Sequence, residues 1–254
     1  MIKSKFTFFK VQIKSVLEDA MKLQETMKKL IIPVIAIITL VVYANTSSPN
    51  ANETSKPPSA AYISTGDTTI NFENDADGKV PKGFTQTSTG KPQTLNWKIV
   101  NDNGNKAAAQ LAKNAGDYYN LLVLDEPGYQ NFLMTVRIKA VAGNEDQGGG
   151  LVWRYIDKNN YYIARCNPLE NNFRLYRVVN GNRKQLKSVD CNIKSGGWFT
   201  MTIEMNGNKI SCSLNGNKII ETTDNTYTKA GRVGFWTKAD AQSYFDDLTI
   251  QPLK

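Results

Sequence analysis

The sequence predicts an all-β protein, a sandwich of two packed antiparallel sheets, and three observations support this. About a dozen short segments alternate apolar and polar residues, which is the pattern of half-buried strands. Asparagine-glycine pairs, typical of hairpin turns, separate several of these segments. No alternation of strands with long helical patterns is present, which argues against a parallel α/β sheet. The 254 residues suffice for one large all-β domain or two small ones.

The first 44 residues are predicted to be a leader outside the sandwich. An uncharged run of fifteen residues, 30–44, follows two lysines and ends in a small-residue pattern suited to cleavage after Ala44. The run is shorter than the roughly 20 residues of a membrane span, so it predicts a secretory signal peptide that begins at Met27 or Met21. The alternative is an uncleaved helical anchor in the inner membrane with a basic cytoplasmic tail.

Residues 45–62, rich in Ser, Asn, Thr and Pro, predict a flexible spacer, and residues 63–254 form the sandwich. Behind a signal peptide, this domain is expected in the periplasm or outside the cell. Of the formal net charge of +8, the first 29 residues carry +4, with seven Lys against three acidic residues. The domain therefore lacks a strongly basic surface, and we expect no nucleic-acid partner and membrane contact only through the N-terminal segment.

The alternation assigns the strands in chain order. The run 106–111 is rich in alanine, but its six residues between turn signals favour a strand over a helix. Asn180 and Gly181 predict a tight hairpin turn between two strands. The predicted strands are residues 69–73, 97–100, 106–111, 120–124, 132–139, 151–155, 161–166, 174–179, 184–189, 199–205, 210–214, 231–238 and 244–252.

The stretch 147–176 is the densest in aromatic and arginine residues. In its first strand, alternation places Arg154 on the face opposite Leu151, Trp153 and Tyr155. In its second strand, Tyr161 and Arg165 lie opposite the smaller and apolar positions. One face therefore belongs to the core, and the other face, with its cations and a phenol, is the candidate site.

Three cysteines, Cys166, Cys191 and Cys212, fall on the apolar faces of their segments. An exported protein with three cysteines can hold one disulfide and a spare thiol. Inward-facing positions favour small buried residues instead, so the sequence assigns these cysteines no chemistry.

Five stretches in order carry a family resemblance: Gly148 to Arg154, Asn159 to Arg165, Leu169 to Tyr176, Gly234 to Asp240 and Phe245 to Asp247. They resemble the bacterial exported concanavalin A-like lectin/glucanase, or laminin-G-like, jelly rolls, close to the domain also labelled 3-keto-disaccharide hydrolase. The resemblance covers residues 69–252 and implies a jelly-roll sandwich whose concave sheet bears a sugar site. That superfamily holds lectins, hydrolases and adhesion domains, so the fold alone does not decide the function.

The resemblance and the alternation together give a candidate glycan-binding surface. Aromatic rings offer flat apolar faces to a pyranose, and cations supply hydrogen bonds to hydroxyls or uronate carboxylates. The alternative is a solvated sheet face with ordinary ring packing. The candidate ligand-binding residues are Arg154, Tyr161, Arg165, Glu170, Arg174, Tyr176, Trp236 and Lys238.

The resemblance also implies a structural Ca²⁺ where the first and last strands meet. The candidate oxygen ligands are Glu73, Asp75, Asp77 and Asp247, with Asp246 as an alternative to Asp247. Their spacing does not match an EF-hand loop, and a solvated acidic turn is the alternative. In the last strand, Phe245, Leu248 and Ile250 can all point inward only if a bulge intervenes at residues 246–247.

The sequence predicts binding without catalysis. It contains no histidine, which excludes Ser-His-Asp and Cys-His catalysis and most zinc sites. The paired acids of the family-16 glycoside hydrolases, Glu-x-Asp-x-x-Glu on one strand, are also missing. The prediction is a non-catalytic, lectin-like module. The alternatives are a glycoside or 3-keto-glycoside hydrolase or lyase with Glu170 or Asp240 as its base, and a structural or adhesion module of the cell envelope.

Overall fold

The computed structural model describes residues 21–22, 63–91 and 93–254. The chain divides into two compact units, Met1–Pro57 and Pro58–Lys254. Within the first unit, the two described residues are helical and exposed.

The apolar run 30–44 and the spacer 45–62 lie outside the described residues, so the signal peptide, its helix and the spacer stay predictions. Over the part of the chain that is described, no helix has the length and hydropathy needed to cross a membrane.

The second unit is all-β, as predicted. Within the described residues its strands are β1 (Thr68–Ile70), β2 (Phe84–Thr89), β3 (Trp97–Asp102), β4 (Asn105–Gln110), β5 (Tyr119–Leu124), β6 (Phe132–Ala142), β7 (Gly149–Asp157), β8 (Asn160–Asn167), β9 (Asn172–Val179), β10 (Asn182–Asp190), β11 (Trp198–Asn206), β12 (Lys209–Leu214), β13 (Asn217–Thr223), β14 (Arg232–Lys238) and β15 (Gln242–Pro252).

These strands form two antiparallel sheets. The eight-stranded sheet has the order β13-β12-β11-β6-β15-β4-β3, with β1 also paired to β15, and the seven-stranded sheet has the order β10-β9-β8-β7-β14-β5-β2. Hairpins join β3 to β4, β7 through β10, and β11 through β13, while the other connections cross between the sheets. This is the predicted jelly-roll sandwich.

Most predicted strands are confirmed, including the alanine-rich one, which is β4. The strand β2 was not predicted, because its sequence, FTQTST, does not alternate apolar and polar residues. It lies at the edge of its sheet, where such a sequence is tolerated. The hairpin turn at Asn180 and Gly181 is confirmed, with positive φ at both residues.

The main core lies between the two sheets. Phe235 of β14 stacks on Phe245 of β15 with 4.7 Å between the ring centroids, which joins the two sheets. Trp97 lies 5.6 Å from Phe245, and Phe84 lies 5.7 Å from Phe235. These ring contacts extend the core towards β2 and β3, so the aromatic packing spans both sheets.

A bulge in β15 changes which residues face this core. The pairing of β15 with β6 shifts between Asp246 and Thr249, and Asp247 has a φ of 51°. Phe245, Leu248 and Ile250 consequently all lie in the core. The bulge predicted at residues 246–247 is confirmed.

A second irregularity, in β7, was not predicted. Its pairing with β8 shifts between Trp153 and Asp157, and Arg154 has a φ of 47°. Trp153 lies in the main core, but Tyr155 lies on the opposite face of the sheet. The prediction that Tyr155 shares the core face was wrong, because the backbone at Arg154 interrupts the alternation.

The seven-stranded sheet is so strongly curved that its edges approach each other. Strands β10 and β5 are five spacings apart along the sheet, about 24 Å if it were flat. The guanidinium carbon of Arg183 on β10 is nevertheless 5.0 Å from the centre of the Tyr119 ring on β5. The hydroxyl of Thr89 on β2 likewise lies 2.8 Å from that of Tyr161 on β8. The sheet therefore has a concave face, which lies opposite the main core.

Apolar and aromatic side chains fill the concave face and are buried there. They are Tyr119, Leu121, Val123, Val152, Tyr155, Tyr161, Ile163, Tyr176, Val178 and Trp236, which we call the concave-face cluster.

The Arg154 side chain has a structural role, because its hydrogen bonds connect three loops. Its guanidinium donates hydrogen bonds to the carbonyl oxygens of Tyr227 at 2.5 Å, Gln130 at 2.9 Å and Gly207 at 3.0 Å. The side chain is 1% exposed, so these carbonyls would lose their partner away from bulk water if the guanidinium were removed.

We expect Arg154→Met to lower the melting temperature by roughly 5–10 °C, because buried carbonyl groups lose their donor. Calorimetry of the purified protein measures this. Lys218→Met is the control, since Lys218 is exposed and pairs only with Glu221 at 2.8 Å, an interaction of small effect. Equal melting temperatures for the two variants would contradict the structural role of Arg154.

Candidate functional site

The concave face brings together seven of the eight predicted ligand-binding residues, and Arg154 is the exception because it lies among the loops described above. The seven are Tyr161, Arg165, Glu170, Arg174, Tyr176, Trp236 and Lys238. For six of them this position follows from regular alternation in β8, β9 and β14, whose pairing is unbroken at these residues, while Glu170 lies in the turn between β8 and β9. Binding by any of them stays a prediction.

Glu170 is held by two arginines at one end of the concave face. Its Oε2 atom accepts hydrogen bonds from Arg165 at 2.7 Å and from Arg174 at 3.0 Å, and Asn172 donates to it at 3.1 Å. Burial by itself would raise the pKa of Glu170, but the bonds and charges of these partners outweigh burial and lower it to about 2. Glu170 is therefore a permanent anion that neutralises Arg165, and it is a poor base.

Arg183, which the sequence analysis did not select, covers the rings of the concave-face cluster. Its guanidinium carbon lies 4.5 Å from the ring centre of Tyr176, 5.0 Å from that of Tyr119 and 5.7 Å from that of Trp236. Such cation-π contacts are favourable at these distances. No ion pair to Arg183 occurs among the described residues within 4.0 Å, and its guanidinium lies against ring faces.

Tyr161 and Trp236 are fully buried, so neither ring presents an open face to a sugar in this structure. Strand alternation could have identified Arg183, because it pairs with Val178 of the concave-face cluster and shares its face.

A cavity of about 410 Å³ opens where the edges of the curved sheet meet. Its volume lies within the range of about 300–1,000 Å³ that small-molecule sites usually have. Polar groups dominate its wall, which suits a hydroxyl-rich ligand better than an apolar one. The lining residues are Thr89, Gly90, Asp117, Tyr119, Gly181, Asn182 and Arg183.

Asp146 is a buried carboxylate that the side chain of Lys238 separates from this cavity. The Nζ atom of Lys238 lies 3.9 Å from Asp117 Oδ1 on the cavity wall and 4.0 Å from Asp146 Oδ2. Asp146 Oδ1 accepts a hydrogen bond from Asn167 Nδ2 at 2.9 Å. Lys238 therefore stands between the cavity and the carboxylate.

The environment of Asp146 gives it the pKa of an acid-base group. Burial raises the pKa of its carboxyl to about 6, although the positive charges of Arg165 and Lys238 act in the opposite direction. A buried carboxylate that titrates near neutral pH close to a cavity is suited to proton transfer. Sequence analysis missed Asp146 because it lies in a glycine-rich turn, where alternation predicts no direction.

Asp240, an alternative base in the sequence analysis, supports the turn that carries Asp146. Its carboxylate accepts backbone hydrogen bonds from Asn144 at 2.7 Å, Glu145 at 3.1 Å and Asp146 at 3.0 Å. Burial would raise the pKa of Asp240, but these hydrogen bonds lower it. With its oxygens committed to the turn, Asp240 positions Asp146 rather than acting on a ligand.

The four predicted calcium ligands do not form one ligand set. Glu73 accepts a bond from the backbone of Lys106, and Asp77 pairs with the Lys106 ammonium at 3.2 Å. Asp75 accepts from the backbone of Lys82, while Asp247 pairs with Arg137 at 2.9 Å.

Across the described residues, no group of three or more acidic, cysteine or histidine side chains is placed to hold a metal ion. Asp77 and Asp247 pair with cations of the protein, whereas Glu73 and Asp75 accept hydrogen bonds from backbone NH groups, and calcium binding stays a prediction.

We predict that Asp146 titrates with a midpoint near pH 6, which nuclear magnetic resonance of its side-chain carboxyl carbon measures. Lys238→Met should move the midpoint upwards, because Lys238 favours the ionised form. A midpoint near 4 in the wild-type protein would contradict the buried environment described above.

The same shift predicts how stability depends on pH. Because the folded-state pKa is raised, the Asp146 contribution to stability is lost as pH rises from about 4 to about 6 and is constant above that. Asp146→Asn should remove this dependence. As pH rises over that interval, the melting temperature of the variant should therefore increase relative to that of the wild type. If the melting temperatures of the two proteins changed equally with pH, this prediction would be contradicted.

Fold and site together define the class: this is a jelly-roll sandwich of the kind found in carbohydrate-binding modules and glycosidases, with a polar cavity and a buried carboxylate at its curved sheet. Residues 71–251 match the family described as 3-keto-alpha-glucoside-1,2-lyase-like domain. The match spans most of the chain, and the protein belongs to this family. The resemblance found in the sequence is thereby confirmed. No curated protein sequence matches the chain.

Solved structures share the fold at low sequence identity. A carbohydrate-binding module of Bacillus subtilis, CBM66, is 17% identical, with a TM-score of 0.55 over 66% of this chain and 95% of that one. A β-glucanase of Bacillus licheniformis is 12% identical, with a TM-score of 0.53 over 74% of this chain and 99% of that one. These similarities concern the fold.

Proposed function

We propose that this protein binds a carbohydrate in the cavity beside Asp146 and cleaves 3-keto-α-glucosides there by 1,2-elimination. The observation that carries the proposal is Asp146, a carboxylate 2% exposed, with a pKa of about 6, beside the Lys238 ammonium. Membership of the lyase-like family supplies the substrate class.

An elimination of this kind needs one base and one cation rather than a pair of acids. The ketone at C3 acidifies the hydrogen on C2, which a carboxylate base can remove to leave an enolate. The enolate then restores the C3 carbonyl, forms a double bond between C1 and C2, and expels the aglycone oxygen, which takes a proton from water. The absence of the glycosidase acid pair therefore does not argue against this chemistry.

The charges around the cavity match the charges of this reaction. Asp146 is the proposed base, since its pKa lies near the working pH of most proteins. Lys238, within 4.0 Å of Asp146, is placed to stabilise the negative oxygen of the enolate. Arg183, on the cavity wall without a carboxylate partner in the described structure, is the proposed donor to sugar hydroxyls.

The test is turnover of the methyl glycoside of 3-keto-α-glucose, followed by methanol release and by the ultraviolet absorbance of the conjugated ketone product. Asp146→Asn should lower turnover at least about 100-fold while binding persists. Because Asp146 must be ionised, the rate should fall as pH drops below about 6. Substrate with deuterium at C2 should react more slowly if that bond breaks in the rate-limiting step.

Asp67→Asn is the matched control, because Asp67 is an exposed carboxylate directly before β1, in the other sheet and outside the cavity wall. We expect it to retain turnover within a few-fold of wild type. Full activity in Asp146→Asn would overturn the assignment of the base.

The second candidate function is glycan binding without catalysis, favoured by the near-complete burial of Asp146 and by the polar cavity wall that includes Arg183. Binding of oligosaccharides that Arg183→Ala weakens, with no release of methanol from the 3-keto glycoside, would establish this function instead. If no oligosaccharide binds, a structural or adhesion role in the cell envelope is the remaining function. The predicted export of the domain is part of this proposal, and N-terminal sequencing of the mature protein tests cleavage after Ala44.

A further inference from the structure

Two cysteines far apart in sequence meet at the edge of the main core. The Sγ atoms of Cys166 and Cys191 are 3.0 Å apart, about 1 Å more than a disulfide bond length. Cys166 is buried on β8, while Cys191 follows β10 and is partly exposed. Both are reduced thiols in this structure.

The topology explains how the two sulfur atoms meet. The backbone NH of Cys191 donates to the Asn171 carbonyl at 3.0 Å, which continues the pairing of β10 with β9 by one residue. From there the chain turns under β9 towards the main core, where Ile193 is buried, and the Cys191 side chain packs against the core beside Cys166. The contact therefore crosses β9, from Cys166 on β8 to the first residue after β10.

The third cysteine is not available to either partner. Cys212 lies in β12 of the eight-stranded sheet, opposite Ile203 of β11, and is fully buried. The structure thus selects one pairing out of the three that the sequence allows. A metal site is also excluded for the described residues, since no third acidic, cysteine or histidine side chain joins the two thiols.

We propose that Cys166 and Cys191 form a disulfide that fastens the crossover 191–197 to β8. Cys191 is the attacking residue, because it is the accessible one and the hydrogen bond from Cys166 lowers the pKa of its thiol. Its thiolate attacks a sulfur of a small-molecule or protein disulfide and displaces one thiolate. Cys166, on losing its proton, then attacks the Cys191 sulfur of the mixed disulfide and releases the second thiolate. The protein loses two hydrogens, and the oxidant leaves as two thiols.

The bond would stabilise a segment that touches the candidate site. In the crossover, Ser195 donates to the Ala140 carbonyl at 3.3 Å and accepts from Gln147 Nε2 at 3.0 Å. Gln147 follows Asp146 directly, so the crossover supports the turn that carries this carboxylate. Export, as predicted from the leader, would place the pair in an oxidising compartment.

The test is peptide mapping of the full-length protein after incubation with oxidised glutathione. Trypsin should yield peptides 166–174 and 188–194 linked by a disulfide, while peptide 210–218, which carries Cys212, stays a free thiol. The linked pair should be 2 Da lighter than the sum of the two free peptides, and dithiothreitol should separate them. Recovery of all three peptides as free thiols, or a linkage that includes peptide 210–218, would overturn the proposal.

Thermal unfolding provides the second measurement. Oxidation should raise the melting temperature by about 5–10 °C, because the bond closes a loop between positions 25 residues apart. Cys191→Ala removes a partly exposed thiol and should abolish the increase, whereas Cys212→Ala should retain it. An equal increase in Cys191→Ala would contradict the pairing. Both measurements are independent of any turnover, so they stand or fall separately from the proposed lyase activity.

Discussion

The seven-stranded sheet carries large side chains on both faces, and only one face can pack against the other sheet. The rest of the structure follows from this constraint. Phe235 and its neighbours pack into the sandwich, whereas Tyr119, Tyr176 and Trp236 point away from it. Strong curvature buries this second set, because it brings Arg183 from one edge of the sheet over rings near the other edge. The cavity lies where those edges meet, so burial of the aromatic residues and formation of the cavity have the same cause.

Glu170 and Asp146 are both carboxylic acids, but their different environments give them different pKa values. Glu170 lies between two arginines and is held as an anion, while Asp146 is buried more deeply and keeps a proton far more readily. Two carboxylates on one face thus have pKa values on opposite sides of the ordinary value. The ammonium of Lys238 lies 4.0 Å from Asp146 and 3.9 Å from Asp117. This separation leaves Asp146 and Lys238 next to the cavity, and these are the two groups on which the proposed elimination depends.

Alternation predicted side-chain direction correctly wherever strand pairing was regular. In β8 and β14 it placed Arg165 and Trp236 on the face away from the core, and both lie there. At residues 246–247 the apolar positions conflicted with a period of two, so the conflict itself revealed the bulge. At Arg154 no such conflict existed, because Tyr155 is acceptable on either face. Direction can be predicted from sequence only when a wrong direction would expose an apolar residue or bury a polar one.

The sequence by itself determined the all-β class, the hairpin turns and the family, because these depend on local periodicity, glycine-compatible turns and short runs of residues in order. Only the tertiary structure decided that Asp146 and Arg183 belong to the site, and that Cys166 faces Cys191. Asp146 lies in a turn, where local pattern gives no direction, and alternation gives the face of Arg183 but not the distant rings that it covers. Their chemistry depends on groups that the curvature of one sheet brings together from distant strands, and no spacing along the chain encodes that distance.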